Sequence, residues 1–148
     1  MKELDEFISV FTEKKFDYIQ IKKRAFLADS EMIELMEKIR EKEGLLPEHI
    51  GIFLGEIKKR EFKPSLALLE LLAEHSDRKV FVNDKAEWLF LCGKDLFKES
   101  VTKCNARSGL VLVQNKKDEN LGYGRIMRKG RVFAMNLLDR GDFLRRER

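Results

Sequence analysis

A chain of 148 residues with 43% hydrophobic and 38% charged side chains and a net charge of +4 has room for one ordinary domain or two small ones, and its apolar content excludes a disordered chain. No window reaches the roughly 18 to 20 apolar residues of a membrane span, and the N-terminus lacks the apolar run of a signal peptide, so a cytoplasmic protein with no membrane partner is expected. Abundant charge beside only two glutamines tilts the composition towards a thermophilic source.

Leu4, Phe7, Ile8 and Phe11 recur at helical spacing and predict an amphipathic helix over residues 3–12. Tyr18, Ile19 and Ile21, followed by Phe26 and Leu27, predict two strands around a turn at Lys22 to Arg24. Ser30 is placed to cap the next helix, with Glu31 and Glu34 in its first turn, Met32, Leu35, Met36 and Ile39 along one face, and Gly44 at its close. The stretch from His49 to Ile57 reads as a buried strand, bounded by Pro47 and by a basic turn at Lys58 to Arg60. Pro64 and Ser65 open a helix whose Leu66, Leu68, Leu69, Leu72 and Ala73 offer a wide apolar face. Helices mixed with non-alternating strands make this half α+β.

The polar interruption "EHSDRK" sets a boundary after Asp77, giving domains over residues 1–77 and 78–148. The first holds 13 Lys+Arg against 17 Asp+Glu, a net of −4, and the second 17 against 9, a net of +8. That asymmetry points to a polyanion bound through the basic half. Here "KVFV" is a strand, Asn83 or Asp84 begins a short helix that Gly93 stops, and "LF", "GLVLVQN", "GYGRIM" and "RVFAMNLL" are short strands in succession. The pattern predicts a small barrel; Trp88, with Leu89 and Leu91, reads as core, the alternative being a base-stacking platform.

Little suggests catalysis. Cys92 and Cys104 fit no metal spacing and read as free thiols, and His49 and His75 stand far apart, so neither a metal nor a cofactor is expected. "LGYGRIMRKG" has GxG, but Met127 occupies the third glycine position of a dinucleotide loop. There is no P-loop, GxSxG or HExxH. Asp139 and Asp142 read as partners for arginines and as a cap rather than as a catalytic pair. A non-enzyme is expected.

The stretches "KVFVNDKAEWLFLCGKDLF", "GLVLVQNKKDENLGYGRIM" and "LLDRGDFLRRE" together resemble a PUA domain, the RNA-binding barrel named after pseudouridine synthases and archaeosine transglycosylase. "FLGEIKKREFKPSLALLELLAEHSDRKVFV" is similar to the junction in small two-domain proteins that assist assembly of the large ribosomal subunit in archaea and eukaryotes. Lys85 and Ser100 stand where PUA domains commonly carry glycine. The resemblance implies an α+β pre-PUA domain followed by a small PUA-like mixed β-barrel. It also implies a non-catalytic factor in ribosome biogenesis or rRNA processing that binds structured RNA, namely rRNA or its precursor, with other assembly proteins as partners of the first domain. The alternatives are a protein-interaction adaptor docking through its acidic first domain, and an accessory subunit of an RNA-modification enzyme.

The candidate RNA contacts are Arg125, Arg128, Lys129 and Arg131, spaced by Gly122, Gly124 and Gly130. A turn at Lys129-Gly130 would set Arg128 across from Arg131, a repulsion of about 0.8 kcal/mol at about 5.5 Å in water that a phosphate turns into attraction. Gly122 and Gly124 would let backbone N–H groups approach the ligand. Tyr123 is either core or a base-stacking platform. Arg140, Arg145 and Arg146 extend the track if the last segment folds beside the hairpin. Lys94, Lys98, Lys103 and Arg107 are further candidates.

Overall fold

A computed structural model describes residues 1–44 and 50–146, so Pro47 and His49 lie outside the described residues. The chain divides into two units, Met1–Leu68 and Leu69–Arg148.

In the first unit, α1 (Lys2–Phe11) precedes the hairpin β1 (Tyr18–Ile21) and β2 (Arg24–Leu27); α2 (Ser30–Glu43) follows, then the hairpin β3 (Ile52–Lys58) and β4 (Glu61–Pro64). The strands form a sheet in the order β1-β2-β3-β4, antiparallel throughout. The helical repeat of α1 buries Leu4, Phe7, Ile8 and Phe11, and the Phe7 ring meets Phe62 of β4 at 5.4 Å between centroids. Ile21, Phe26 and Met36 form a core joined by Ile19, Ile50 and Phe53, each fully buried side chain contributing about 1.5 to 3 kcal/mol. The cap of α2 is Asp29 rather than Ser30: its Oδ1 accepts the Met32 N–H at 2.8 Å, and its charge suits the positive end of the helix. Of the face read as apolar, α2 buries Met36, while Leu35 and Ile39 stay exposed. Gly44 closes the helix in the left-handed region at φ +66°.

The hydroxyl of Tyr18 lies 2.9 Å from Asp5 Oδ1. Burial, and then the hydrogen bond and charge of Asp5, push the phenol up to about 12. An unfolded tyrosine ionises near pH 10, so the stability tied to this group is intact below about pH 10 and is lost as pH rises through about 12. An ultraviolet titration should show a tyrosinate appearing near pH 12 that Tyr18→Phe removes; ionisation of both tyrosines at their ordinary pH contradicts this.

α3 (Leu66–Ala73) runs from one unit into the other. Ser65 Oγ accepts the Leu68 N–H at 3.1 Å, and Leu68, Leu69 and Leu72 are fully buried.

The second unit continues with β5 (Lys79–Val82), α4 (Asp84–Leu91), β6 (Leu96–Phe97), β7 (Val101–Cys104), β8 (Gly109–Gln114), β9 (Asn120–Lys129), β10 (Val132–Asp139) and α5 (Asp142–Arg146). Its sheet has the order β6-β10-β9-β8-β5-β7. β5 and β8 run parallel and the other pairs antiparallel. The outermost strands, β6 and β7, are neighbours in sequence, separated only by the 3-10 turn Lys98–Ser100. The sheet therefore curls until its two edges meet in one bent segment, whose first half bonds to β10 and whose second half bonds to β5. All six strands supply side chains to the enclosed core: Val80, Val82, Leu96, Val111, Val113, Leu121, Ile126 and Ala134, with Val101 and Cys104 packed against them. α4 adds Ala86 and Phe90. Asn83 is its cap, Oδ1 accepting the Ala86 N–H at 2.9 Å. The fold is α+β with a small mixed barrel, as the sequence implies. Among the described residues no helix is long and apolar enough to cross a membrane.

Candidate nucleic-acid interface

β9 and β10 close on the two-residue turn Gly130-Arg131, because Lys129 pairs with Val132. Gly130 takes φ +59° at the first central position, where a type II′ hairpin favours glycine. The expected turn at Lys129-Gly130 is thus displaced by one residue, and Arg128 does not face Arg131. Instead Met127 and Arg128 together oppose Phe133, between the pairs Lys129–Val132 and Ile126–Ala134. This is a β-bulge, which re-aims a side chain. Arg128 takes φ +49° there, a region bulky residues rarely adopt.

The bulge holds the Arg128 guanidinium 5.6 Å from the Phe133 ring centre. Arg131 lies 5.7 Å from the Phe97 ring and donates to Glu99 Oε1 at 2.9 Å. The Lys98 N–H donates to Arg131 O at 3.0 Å, which ties the hairpin to the 3-10 turn. Lys98, Val101, Arg128 and Phe133 line a shallow pocket of about 330 Å³. The Glu99 carboxyl is held below the usual carboxylate range by its own backbone hydrogen bond and then by Arg131. Arg125, Lys129, Lys98 and Arg128 are exposed and carry no ion pair among the described residues. A guanidinium lying on an aromatic ring is fixed in direction while its in-plane N–H edge stays free, the geometry for gripping a phosphate.

The remaining candidates lie elsewhere. Gly122 takes φ +147°, and a Cβ there would run into Leu138 O; at Gly124 it would run into Met135 O. These two glycines admit the backbone of β10, which slips register between Asn136 and Leu138; they do not open a path for a ligand. Gly122→Ala should cost about 3 kcal/mol in urea unfolding, from clash and backbone strain together, and parental stability would show that β10 yields instead. Tyr123 is 8% exposed and belongs to the packed interior. Arg140 donates to Asn120 O and lies 3.5 Å from Glu70, in a groove of about 620 Å³ shared with Glu74, Glu87, Asp118 and Glu119. Arg145 is clamped on Asp139 at 2.8 Å, and Arg146 on Asp142 at 2.8 Å. These three arginines follow the end of β10 remote from the turn, about 25 Å away along an eight-residue strand. The track expected to run from the hairpin to the C-terminal arginines therefore does not form: Arg125, Arg128 and Lys129 stand towards the turn without ion pairs among the described residues, and the C-terminal arginines are neutralised.

Trp88 is 67% exposed rather than core. Ala86 and Phe90 take the inward positions of α4, and a rotation of about 100° per residue turns Trp88 outward. Lys94, Lys103 and Arg107 are exposed as well, Lys103 lying 5.9 Å from the Phe81 ring. Sequence reading missed Phe133, Phe97 and Glu99. The hairpin register seats Phe133 beside Arg128, while Phe97 and Glu99 reach Arg131 from a segment more than thirty residues earlier and leave no local signal.

A curled, mixed six-stranded half-barrel with a helix between its first two strands and a basic β-hairpin is the fold of a PUA-domain protein. Residues 78–148 match the family model described as the UPF0113 PUA domain. The chain is 35% identical over 115 residues to a UPF0113 protein of Archaeoglobus fulgidus, covering 70% of this chain and 66% of that one. It is 34% identical over 107 residues to a UPF0113 protein of Aeropyrum pernix, covering 68% and 60%. The matches thus span somewhat less than two thirds of the length of these relatives. A conserved PUA domain protein from Thermoplasma acidophilum shares the fold, with a TM-score of 0.57 and 19% identity over 99% of this chain and 92% of that one. A PUA domain suggests RNA binding.

Proposed function

We propose that this protein is a non-catalytic RNA-binding factor, which holds structured rRNA or its precursor at the hairpin end of the PUA domain during biogenesis of the large ribosomal subunit. The observation that carries the proposal is the placement of Arg128, kept in a left-handed bulge over Phe133 beside Lys98 and Lys129, with Glu99 as the acid at that end. Phosphate contact would use this arrangement, whereas packing alone gives no reason for it. The ribosomal assignment is supported by the likeness of the sequence to two-domain assembly factors. The absence of catalysis is supported by the state of the acidic groove, where Asp118 is paired with Lys79 at 3.0 Å and Glu70 with Arg140.

Fluorescence anisotropy with a structured rRNA fragment, comparing the intact chain with Arg128→Glu/Lys129→Glu, tests the interface. Weak affinity that the double substitution leaves unchanged would return the protein to the adaptor class. Mass spectrometry of the RNA after incubation tests the non-catalytic part, and any change in RNA mass refutes it.

A further inference from the structure

Among the described residues, the non-glycine residues at positive φ are Lys22, Lys59, Arg60, Asp118 and Arg128. Four of the five are cations, and three of those crown the hairpins of the first unit, in a half of the chain that is acidic overall. Lys58 pairs with Glu61, so Lys59 at φ +50° and Arg60 at φ +66° fill both central positions of a type I′ turn, where asparagine and glycine are favoured. Ile21 pairs with Arg24, so Lys22 at φ +56° fills the first central position of its turn, which glycine ordinarily takes.

The first and third turns of an antiparallel meander leave the sheet at the same end. The Ile57 N–H donates to Lys23 O at 2.9 Å and fastens the two turns side by side. Lys22, Lys23, Lys58, Lys59 and Arg60 therefore share one rim and are exposed. The neighbouring acids are engaged: Glu56 with Lys58 at 3.2 Å and Arg24 at 4.0 Å, and Glu61 with Lys63 at 2.9 Å. Lys22, Lys23, Lys59 and Arg60 have no ion pair among the described residues. Local backbone preference would select other residues at three of these positions, and the residues present supply charge instead.

We infer that this rim is a second phosphate-binding surface, which grips the RNA backbone in addition to the PUA hairpin. It rests on the RNA-binding reading above. Lysine and arginine at hairpin tips meet phosphates rather than base edges, so the rim adds affinity without adding sequence preference.

Lys59→Asn/Arg60→Gly separates charge from structure, because it installs the residues the turn favours while removing two cations. The thermal midpoint should rise by about 3 to 5 °C. Affinity for the structured rRNA fragment should fall by about 10- to 30-fold at about 0.1 M salt, and the salt dependence should become shallower by about 1.4 log units per log unit. Unchanged affinity in this variant overturns the inference. If Arg128→Glu/Lys129→Glu weakens binding in the same assay, the RNA reading stands without the rim; if neither variant weakens it, both fall.

Discussion

Reversing the charges of Arg128 and Lys129 should weaken binding of a structured rRNA fragment by at least about 100-fold at about 0.1 M salt. A hydrogen bond to a charged group contributes about 1.5 to 3 kcal/mol, so two lost contacts amount to about 3 kcal/mol even at the low end, before any repulsion by the new carboxylates. The intact chain should show steep salt dependence. Three or four phosphates held at the hairpin, at a slope near −0.7 each for single strands, give by themselves a loss of about 20- to 50-fold between about 50 and 200 mM salt, and contacts at the rim steepen it further. In the double variant that slope should drop by about 1.4. Anisotropy titrations at several salt concentrations measure both quantities, and a flat salt response of the intact chain refutes the interface. Because the four free hairpin-end cations have no ion pair among the described residues, the loss should not be accompanied by unfolding.

A large stability effect should also come from Arg145, one of the candidate RNA contacts. Its guanidinium grips Asp139 through Nη1–Oδ1 at 3.0 Å and Nη2–Oδ2 at 2.8 Å, and Nη1 also donates to Leu91 O, at the end of α4, at 2.7 Å. Asn136 Nδ2 adds a further bond to Asp139 Oδ2 at 3.1 Å. Asp139 is 2% exposed, so removing its partner strands a carboxylate away from water, a defect worth about 3 to 5 kcal/mol. The Arg145 side chain keeps 38% exposure, which lets water reach the site and favours the lower end. Arg145→Met should therefore lose about 3 kcal/mol in urea unfolding. Arg145→Lys should fall between, restoring the charge without the two-pronged contact. RNA affinity of the folded variant should match that of the parent, since the pair lies at the far end of β10. A methionine variant as stable as the parent would show that Asp139 finds another donor.

The elements were legible where one local rule decided them. The apolar repeat of Leu4, Phe7, Ile8 and Phe11 fixes α1, Asn83 caps α4 through a bond three residues long, and Gly44 ends α2 because few other residues accept its backbone. Asp142 was readable as a partner of arginine because Arg146 lies one helical turn on, whereas Asp139, at the end of β10, meets Arg145 six residues away. What stayed hidden depends on residues distant in the chain. Glu99 neutralises Arg131 across 32 positions, which no local spacing reveals. Gly122 and Gly124 look the same in sequence whether they admit a ligand or a neighbouring strand. The turn in "RKGR" accepts two registers, and the pairing of Lys129 with Val132 selects between them. Trp88 was misplaced because α4 is short, and its phase follows from Ala86 and Phe90 meeting strands that pair later in the chain.

The bent segment from Leu96 to Cys104 belongs to both margins of the PUA sheet. Where β10 outruns the two-residue β6, Asp95 Oδ1 takes up the Asn136 N–H at 2.9 Å. A bare strand is a template onto which other molecules zip, the first step towards aggregation and fibrils. This domain withholds that template by sealing its seam with a few residues of its own. The same economy makes the seam a point of weakness, since one proteolytic nick between Lys98 and Ser100 would free both margins together.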